Sequence, residues 1–574
     1  MTRFRIFDPP HSKQSLHVSL PPANHFWSTE HVISSFVSSS SESFTGHHQD
    51  DIIRACALDL NKPQFETELA EIDWLLNDIV FTTRNLHKWA KDEKAPDIDL
   101  HFKLMSPKIR KDPLGCVLVI GYVSFLSKSG TEECLKFLIM VSSTFNFPFQ
   151  LTLGPVIGAI AAGNTVVIKP SENAPHSAAI IQKICEASLD PLCYSIVQGG
   201  VPETQALLSE RWDKIFFTGG ANVGRIIAKA AAPHLTPVVL ELGGINPAIV
   251  SKTANPRLVA RRMLWGKTVN AGQLCTSQNY LLVDKTIFPQ VVEEFKKAYK
   301  SFYPNGAKKS PDYSRIINKG HFRRLKSMLD NSKGEILLGG TLDEDDLFIE
   351  PTVVQVNSIE DSLCTEESFG PFIPILPVQD LDEAIRLANE VQSTPLGLYP
   401  FGSKTDVAKI ISSTRSGGVS CNDAALHIPT LPFGGVGESG HGAYRGRTSF
   451  DVWVHRRPIT SSPSWLETIL SVRYPPYGSK LNKVKATNNL VPDFDRQGQQ
   501  LRPGWLRYVL TLGGGSGKAG AGRALIIAAI FLGCRHYIFP ACSIFHSLRS
   551  PISSIFTEFW RHTEDLGPRF CAPL

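Results

Sequence analysis

KIFFTGGANVGRIIAKAAAPHLTPVVLELGG, residues 214–244, holds one complete unit of a fold. KIFFTG (214–219) is a short apolar run, Gly219 and Gly220 interrupt it, a helical stretch follows, and TPVVLELGG (236–244) is a second buried run. Strand, glycine turn, helix and strand make a βαβ unit with parallel strands. The same alternation continues outward. CVLVIG (116–121) and NTVVIKP (164–170) read as buried strands, and PHSAAIIQKICEAS (175–188) as a helix. Past Pro247, NYLLV (279–283) and FPQVVEEFKKAYK (288–300) open a second series. The predicted class is α/β, a parallel doubly wound sheet followed by a second α/β region.

Composition narrows the functional classes. At 574 residues the chain exceeds one hydrophobic core, so two or three domains are expected. Its net charge of +5 is small, and the absence of a long Lys/Arg run argues against nucleic acid as a partner. Eleven cysteines are scattered singly, without a CxxC pair or a Cys/His cluster at zinc spacing. They read as reduced thiols in an intracellular compartment, and no metal is expected. Residues 1–48, with SSFVSSSSES (34–43), are predicted to be a disordered extension without a secretory signal. From Asp50 to Lys94 the pattern is helical, with Ile72, Leu75, Leu76, Ile79 and Val80 at helical spacing. The stretch 431–446, LPFGGVGESGHGAYRG, reads as a long loop dominated by backbone.

Four segments carry chemistry. In TVNAGQLCTSQNY (268–280), Cys275 stands among small and polar residues rather than in an apolar strand. A lone cysteine is most often inert, but Glu241 precedes it in LELGGINP (240–247). A carboxylate ending an apolar strand is costly to bury without a task, and a thiol nucleophile needs a base for itself or for the water that releases product. In FNFPFQLTLGPVIGAIAAGN (145–164), Asn146 stands just before a Pro and a long apolar run, where its amide could hold an oxyanion. In VVIKPSEN (166–173), Lys169 at the strand end can donate to ribose or phosphate oxygens, and Glu172 can accept from ribose hydroxyls. Gly219 and Gly224 flank a turn into a helix whose N-terminus would favour a pyrophosphate, although the G-x-G-x-x-G fingerprint is absent.

Together, FNFPFQ, KPSEN, FFTGGANVG, LELGG, NAGQLC, EESFGPFIPI and PFGGVGESGHGAYRG, in this order, resemble the aldehyde dehydrogenase superfamily. The ending SFDVWVHRR (449–457) with RYPPY (473–477) resembles its class 3 branch, which includes fatty aldehyde dehydrogenases. The resemblance covers roughly 50–480 and implies a Rossmann-like cofactor domain at 49–240, a catalytic domain at 241–448 and a small bridging element for homodimer formation. The bridging pieces would lie near 102–115 and 449–477. By the same resemblance Cys275 is the nucleophile, Glu241 the general base and Asn146 the oxyanion amide, with the Cys275 N–H as second donor. Lys169 and Glu172 would meet the adenosine ribose, Gly219, Gly220 and Gly224 the pyrophosphate, Glu367 the nicotinamide ribose and Phe369 the cofactor ring. Phe433 would line the substrate side. The implied reaction is oxidation of a long-chain fatty aldehyde by NAD or NADP through a thiol ester, with an apocarotenoid or aromatic aldehyde, or an inactive membrane-tethered relative, as alternatives. Glu172 would repel a 2′-phosphate, which favours NAD.

Two segments stand apart. After a polar linker (478–522), the hydrophobic tail 523–546 has an uninterrupted apolar run, Ala524 to Cys534, of 11 residues, short of the roughly 17–25 that a membrane span needs. The class 3 resemblance nevertheless implies membrane association through this tail, at the cytoplasmic face of an internal membrane or at a mitochondrion. The segment YVSFLSKSGTEECLKFLIMVSS (122–143) falls where the resemblance has a short turn, and joining Gly121 to Thr144 restores an unbroken family pattern. Its apolar LKFLIMV (135–141) is an aggregation hazard, so these 22 residues are read as foreign to the functional protein, as a retained intron would be. Deleting 122–143 is expected to raise soluble yield and turnover of hydrophobic aldehydes. An inactive deletion beside an active full chain would instead make the segment a genuine lid.

Overall fold

In a computed structural model the chain divides into two units, Met1–Thr460 and Ser461–Leu574. The structure describes residues 4–6, 16–18, 48–96, 98, 100–120, 145–424, 427–482 and 494–499. The insert 122–143, the tail 523–546 and most of the extension 1–48 and of the linker 478–522 therefore lie outside the described residues. Within the extension, Phe4–Ile6 and Leu16–Val18 pair as an antiparallel ribbon.

The first unit contains two large sheets. One runs Gly440–His441, Val238–Leu242, Lys214–Gly219, Cys116–Ile120, Thr165–Lys169, Tyr194–Ile196 across its six strands, all parallel except the first. The central strands are buried on both faces, which is why they read as unbroken apolar runs. In chain order the five parallel strands lie 3-2-1-4-5, so the order reverses between Cys116–Ile120 and Lys214–Gly219. Ligands of doubly wound sheets bind outside the strand carboxyl ends at such a reversal. Lys169 and Gly219 are the last residues of two of those strands. The helix Pro148–Ala161 is buried over its whole length, as its near absence of polar residues requires.

The second sheet has seven strands, in the order Glu335–Leu338, Thr352–Gln355, Phe372–Val378, Tyr280–Asp284, Pro247–Val250, Gly397–Phe401, Gly418–Val419. Only the first pair is antiparallel. The short link from Leu242 to Pro247 thus joins a carboxyl end of the first sheet to an amino end of the second. A smaller sheet pairs Lys108–Pro113 with Glu93–Lys94 and with Val454–Ile459. In the second unit the described residues form short helical turns at Ser464–Leu466, Glu467–Leu470 and Ser471–Arg473.

Two expectations change. The helical stretch from Asp50 is not continuous: Gln49–Leu60 ends where Asn61 turns left-handed (φ 48°), and Pro63, which has no N–H, precedes Gln64–Thr67. A π-helical turn, Glu68–Ile72, then leads into Asp73–Trp89, where Leu75 and Ile79 are buried but Val80 is exposed. The stretch 431–446 is also more ordered than a loop. Phe433 and Tyr444 bridge backbone to backbone, and Gly440–His441 pairs with the strand holding Glu241, placing Gly440 opposite Glu241. Gly440 has φ +119°, and a Cβ there would lie 1.9 Å from the Leu240 carbonyl oxygen. Gly440→Ala is therefore expected to destabilise the first unit by roughly 1–3 kcal/mol, read as a lower urea midpoint than that of the parent chain.

Candidate active site

The nucleophile candidate is delivered by an unusual stretch of backbone. After the helix Pro256–Thr268, three successive residues, Asn270 (φ 50°), Ala271 (φ 52°) and Gly272 (φ 73°), are left-handed. Non-glycine residues in this region cost about 1–3 kcal/mol each and persist only when their surroundings hold them. Here the Asn270 N–H donates to Glu66 Oε2 at 2.9 Å, and Gln273 Nε2 donates to the Asn270 and Arg315 carbonyls at 3.0 and 2.9 Å. Cys275 follows, half-buried, its thiol receiving the backbone N–H groups of Cys275 and Thr276. Its carbonyl accepts from Asn246 Nδ2 at 2.7 Å.

Two carboxylates share this volume. Glu241 is buried, and neither of its oxygens has a hydrogen-bond partner among the described residues. Burial pushes its carboxyl well above the usual range, opposed by the charge of Arg445. Glu367 folds over the two glycines that follow Glu241: a Cβ on Gly243 would lie 2.2 Å from Glu367 Oε2. Its carboxylate accepts from the Gly244 N–H, while Oε1 has no partner among the described residues. Burial lifts Glu367 to about 7, against the Gly244 N–H and the charges of Arg324 and Lys267. Burial, followed by the charges of Glu367 and Glu241, pushes the Cys275 thiol up to about 12.

The other sequence candidates fall around this centre. Asn146 Nδ2 donates to the Gln273 carbonyl at 3.0 Å, two residues before Cys275, leaving a second amide hydrogen for another acceptor. Lys169, fully buried, pairs with Glu172 at 2.9 Å at the carboxyl end of its strand. Gly219 closes its strand, and Gly220 stands at the start of the helix Ala221–Ala231, which has no side-chain cap. Gly224 lies one turn inside that helix, where a Cβ would come within 2.9 Å of Leu242 Cδ2, so its lack of side chain serves helix–strand contact. Phe369, itself left-handed (φ 47°), meets the buried Phe145 edge to face at 5.7 Å. Phe433 lines a cavity of about 320 Å³ beside Thr276, with Tyr399, His427, Ile428 and Leu431 among its walls.

A dinucleotide fits these groups. The orphaned Glu367 Oε1 and the Lys169–Glu172 pair suit ribose hydroxyls, and the uncapped helix start offers free N–H groups to a pyrophosphate. Among the described residues no group of three or more His, Cys, Asp or Glu side chains is placed to hold a metal ion.

Sequence reading missed the residues that fix this centre. Asn246, fully buried, donates to the Cys275 and Ser277 carbonyls and accepts from Gly397 N at 2.7 Å, tying together the starts of three strands. Asn279 does the same for the Glu367 loop, donating to the Leu363 and Glu366 carbonyls and accepting from Ser368 N at 2.8 Å. The only signal was an Asn heading an apolar run in INP and QNY.

The family model of the aldehyde dehydrogenase family matches residues 138–459. Beta-apo-4'-carotenal oxygenase of Neurospora crassa is 47% identical over 475 residues, 82% of this chain and 85% of that one. The rat aldehyde dehydrogenase described as dimeric and NADP-preferring is 41% identical over 436 residues, 74% of this chain and 89% of that one. The substrate-bound structure of Staphylococcus aureus AldH superposes with a TM-score of 0.72 at 35% identity, covering 80% of this chain and 94% of that one. The fold is that of an NAD(P)-dependent oxidoreductase with a Rossmann-like region and a separate catalytic α/β region. The chain belongs to the aldehyde dehydrogenase family, and its reaction is NAD(P)-dependent oxidation of an aldehyde to a carboxylic acid.

The charges around Cys275 make a direct test. Removing a nearby negative charge lowers the thiol pKa and raises the thiolate fraction. With no dinucleotide present, Glu367→Gln is expected to speed iodoacetamide alkylation of Cys275 at pH 8, where Glu367 is ionised, by up to about tenfold for each unit the thiol pKa falls. Mass spectrometry of the labelled peptide measures it.

Proposed function

We propose that this enzyme oxidises a long apolar polyene aldehyde, an apocarotenal, through a thiol ester on Cys275. The observation that carries the reading is the 47% identity, over most of both chains, to a relative named for beta-apo-4'-carotenal. The cavity beside Thr276 supports it, with apolar and aromatic walls at Tyr399, Ile428, Leu431 and Phe433 that suit a rigid conjugated chain. The fatty-aldehyde expectation has less behind it. Among the described residues no helix is long and apolar enough to cross a membrane, and the tail on which membrane association rests lies outside them.

In this mechanism the Cys275 thiol gives its proton to solvent water and the thiolate sulfur adds to the aldehyde carbon. The second Asn146 amide hydrogen and the Cys275 N–H are assigned to the resulting oxyanion. When bound, NAD(P) would supply the hydride acceptor, and loss of hydride from the adduct's carbon would leave an acyl thiol ester on Cys275. Glu241, a strong base because burial disfavours its charged form, takes a proton from water as the water oxygen adds to the acyl carbon. The carbon–sulfur bond then breaks, giving the acid and the free thiol. Glu367 and the Lys169–Glu172 pair are assigned to the two riboses, the turn at Gly219 and Gly220 to the pyrophosphate, and Phe369 to the cofactor ring. The small sheet of Glu93–Lys94, Lys108–Pro113 and Val454–Ile459 is assigned to bridging two copies, in line with the rat relative's description as dimeric. Glu172 favours a free 2′-hydroxyl, but its ion pair with Lys169 offsets part of that charge. NAD is therefore expected to be preferred over NADP by less than about tenfold, the scale of a partly exposed charge.

The test is a matrix of beta-apo-4'-carotenal, hexadecanal and benzaldehyde against NAD and NADP, read as NAD(P)H absorbance. The polyene aldehyde is expected to give the highest kcat/KM, and Cys275→Ala to abolish turnover of all three. Higher kcat/KM with hexadecanal would overturn the substrate, and more than a few percent of turnover in Cys275→Ala would overturn the nucleophile.

A further inference from the structure

The helix Pro148–Ala161, whose first turn sets the position of Asn146, begins without a cap of its own. Its N-cap is Phe147, which has no side-chain acceptor, and its first residue is a proline. A helix start buried in this way leaves N–H groups in need of partners. Glu71 provides them from another element. Its Oε2 accepts from Gln150 N at 2.8 Å, and the same carboxylate accepts from Phe149 N. Glu71 lies in the π-helical turn Glu68–Ile72, and π turns concentrate at functional sites.

A fully buried carboxylate requires a counter-charge. Lys62 supplies it: Nζ lies 2.7 Å from Glu71 Oε1, and both side chains are wholly inaccessible. The same ammonium donates to the Asn146 carbonyl at 2.8 Å and sits 4.0 Å over the Phe147 ring. The Asn146 carbonyl also accepts from Asn270 Nδ2 at 3.0 Å. Two donors therefore fix the Asn146 peptide, one from the N-terminal segment and one from the loop that delivers Cys275. Glu66, on that N-terminal segment, accepts the Asn270 N–H. The stretch 62–71 thus grips the amide loop and the thiol loop at once.

We infer that Lys62 and Glu71 are positioning residues for the reaction: the buried pair sets the Asn146 peptide, and through it the amide hydrogen that meets the oxyanion. The inference rests on the assignment of Asn146 to the oxyanion. Neither residue touches the reacting atoms. Their effect is on kcat, since the oxyanion exists only in the transition state and the tetrahedral intermediate.

The experiment uses hydrolysis of p-nitrophenyl acetate by the full chain without dinucleotide, a thiol acylation that passes through the same kind of oxyanion. Removing one partner alone would strand a buried charge and threaten folding, so the pair is replaced together as Lys62→Met/Glu71→Gln. The amide oxygen introduced at position 71 can still accept from Gln150 N. Expected is a fall in kcat of about 10- to 100-fold, within the range for a lost or displaced oxyanion donor, with KM and the rate of Cys275 alkylation by iodoacetamide unchanged. Asn146→Ala is expected to slow hydrolysis at least as much, and adding the pair replacement to Asn146→Ala to cost less than twofold more, because both act through one amide. A double variant with kcat within twofold of the parent, alkylation slowed in parallel with hydrolysis, or additive losses in the Asn146→Ala background would each overturn the positioning role while leaving Asn146 assigned. No effect of Asn146→Ala itself would overturn both the assignment and the inference.

Discussion

Glu241 ends an interior strand with its carboxylate out of water and neither oxygen bonded by a described residue, and this single desolvation orders much of what surrounds it. An ionised carboxylate in such a place costs several kcal/mol unless it is paired, and burial pushes its carboxyl well above the usual range. Gly243, two residues on, leaves the volume into which Glu367 folds. After burial, the charges of Glu367 and Glu241 both press the thiol of Cys275 upward. Lys267, buried in the same region, is itself pushed down to about 7 by desolvation.

Opposed sheet polarity is the geometric counterpart of this electrostatic constraint. Strand carboxyl ends of the first sheet present Lys169, Gly219 and Glu241, and strand amino ends of the second follow Asn246, Cys275 and Glu367 by a few residues. Five residues, Glu241 through Ile245, pass from one set to the other. Groups carried by two separate sheets therefore converge.

The strands were legible in the sequence because parallel strands buried on both faces are apolar runs with glycine or proline at their ends. The reading 214–219 coincides with the observed strand, and 236–244 overshoots Val238–Leu242 only at its turns. The helical stretch from Asp50 was read less well, because a left-handed Asn61 and a π turn leave the apolar spacing almost undisturbed. Motif residues at the centre were found as motifs. What supports them was not: Asn246 reaches Gly397 across 151 positions and Lys62 reaches Asn146 across 84. A buried side chain that bonds to distant backbone has no periodicity and no local partner, so one sequence offers at most an Asn heading an apolar run. Gly224 shows the complementary limit, since spacing assigns it to a phosphate turn while its close contact is with Leu242.

The hairpin that carries Phe433 at one end pairs through Gly440–His441 with the strand of Glu241, on the outer side of the six-stranded sheet. An uncovered strand offers a row of free N–H and C=O groups to any other extended chain. The cavity wall is therefore also the sheet's shield against self-association. Attempts to widen the enzyme's substrate range by loosening this hairpin would trade selectivity against colloidal stability, and libraries built here should lose soluble variants before they lose catalytic ones.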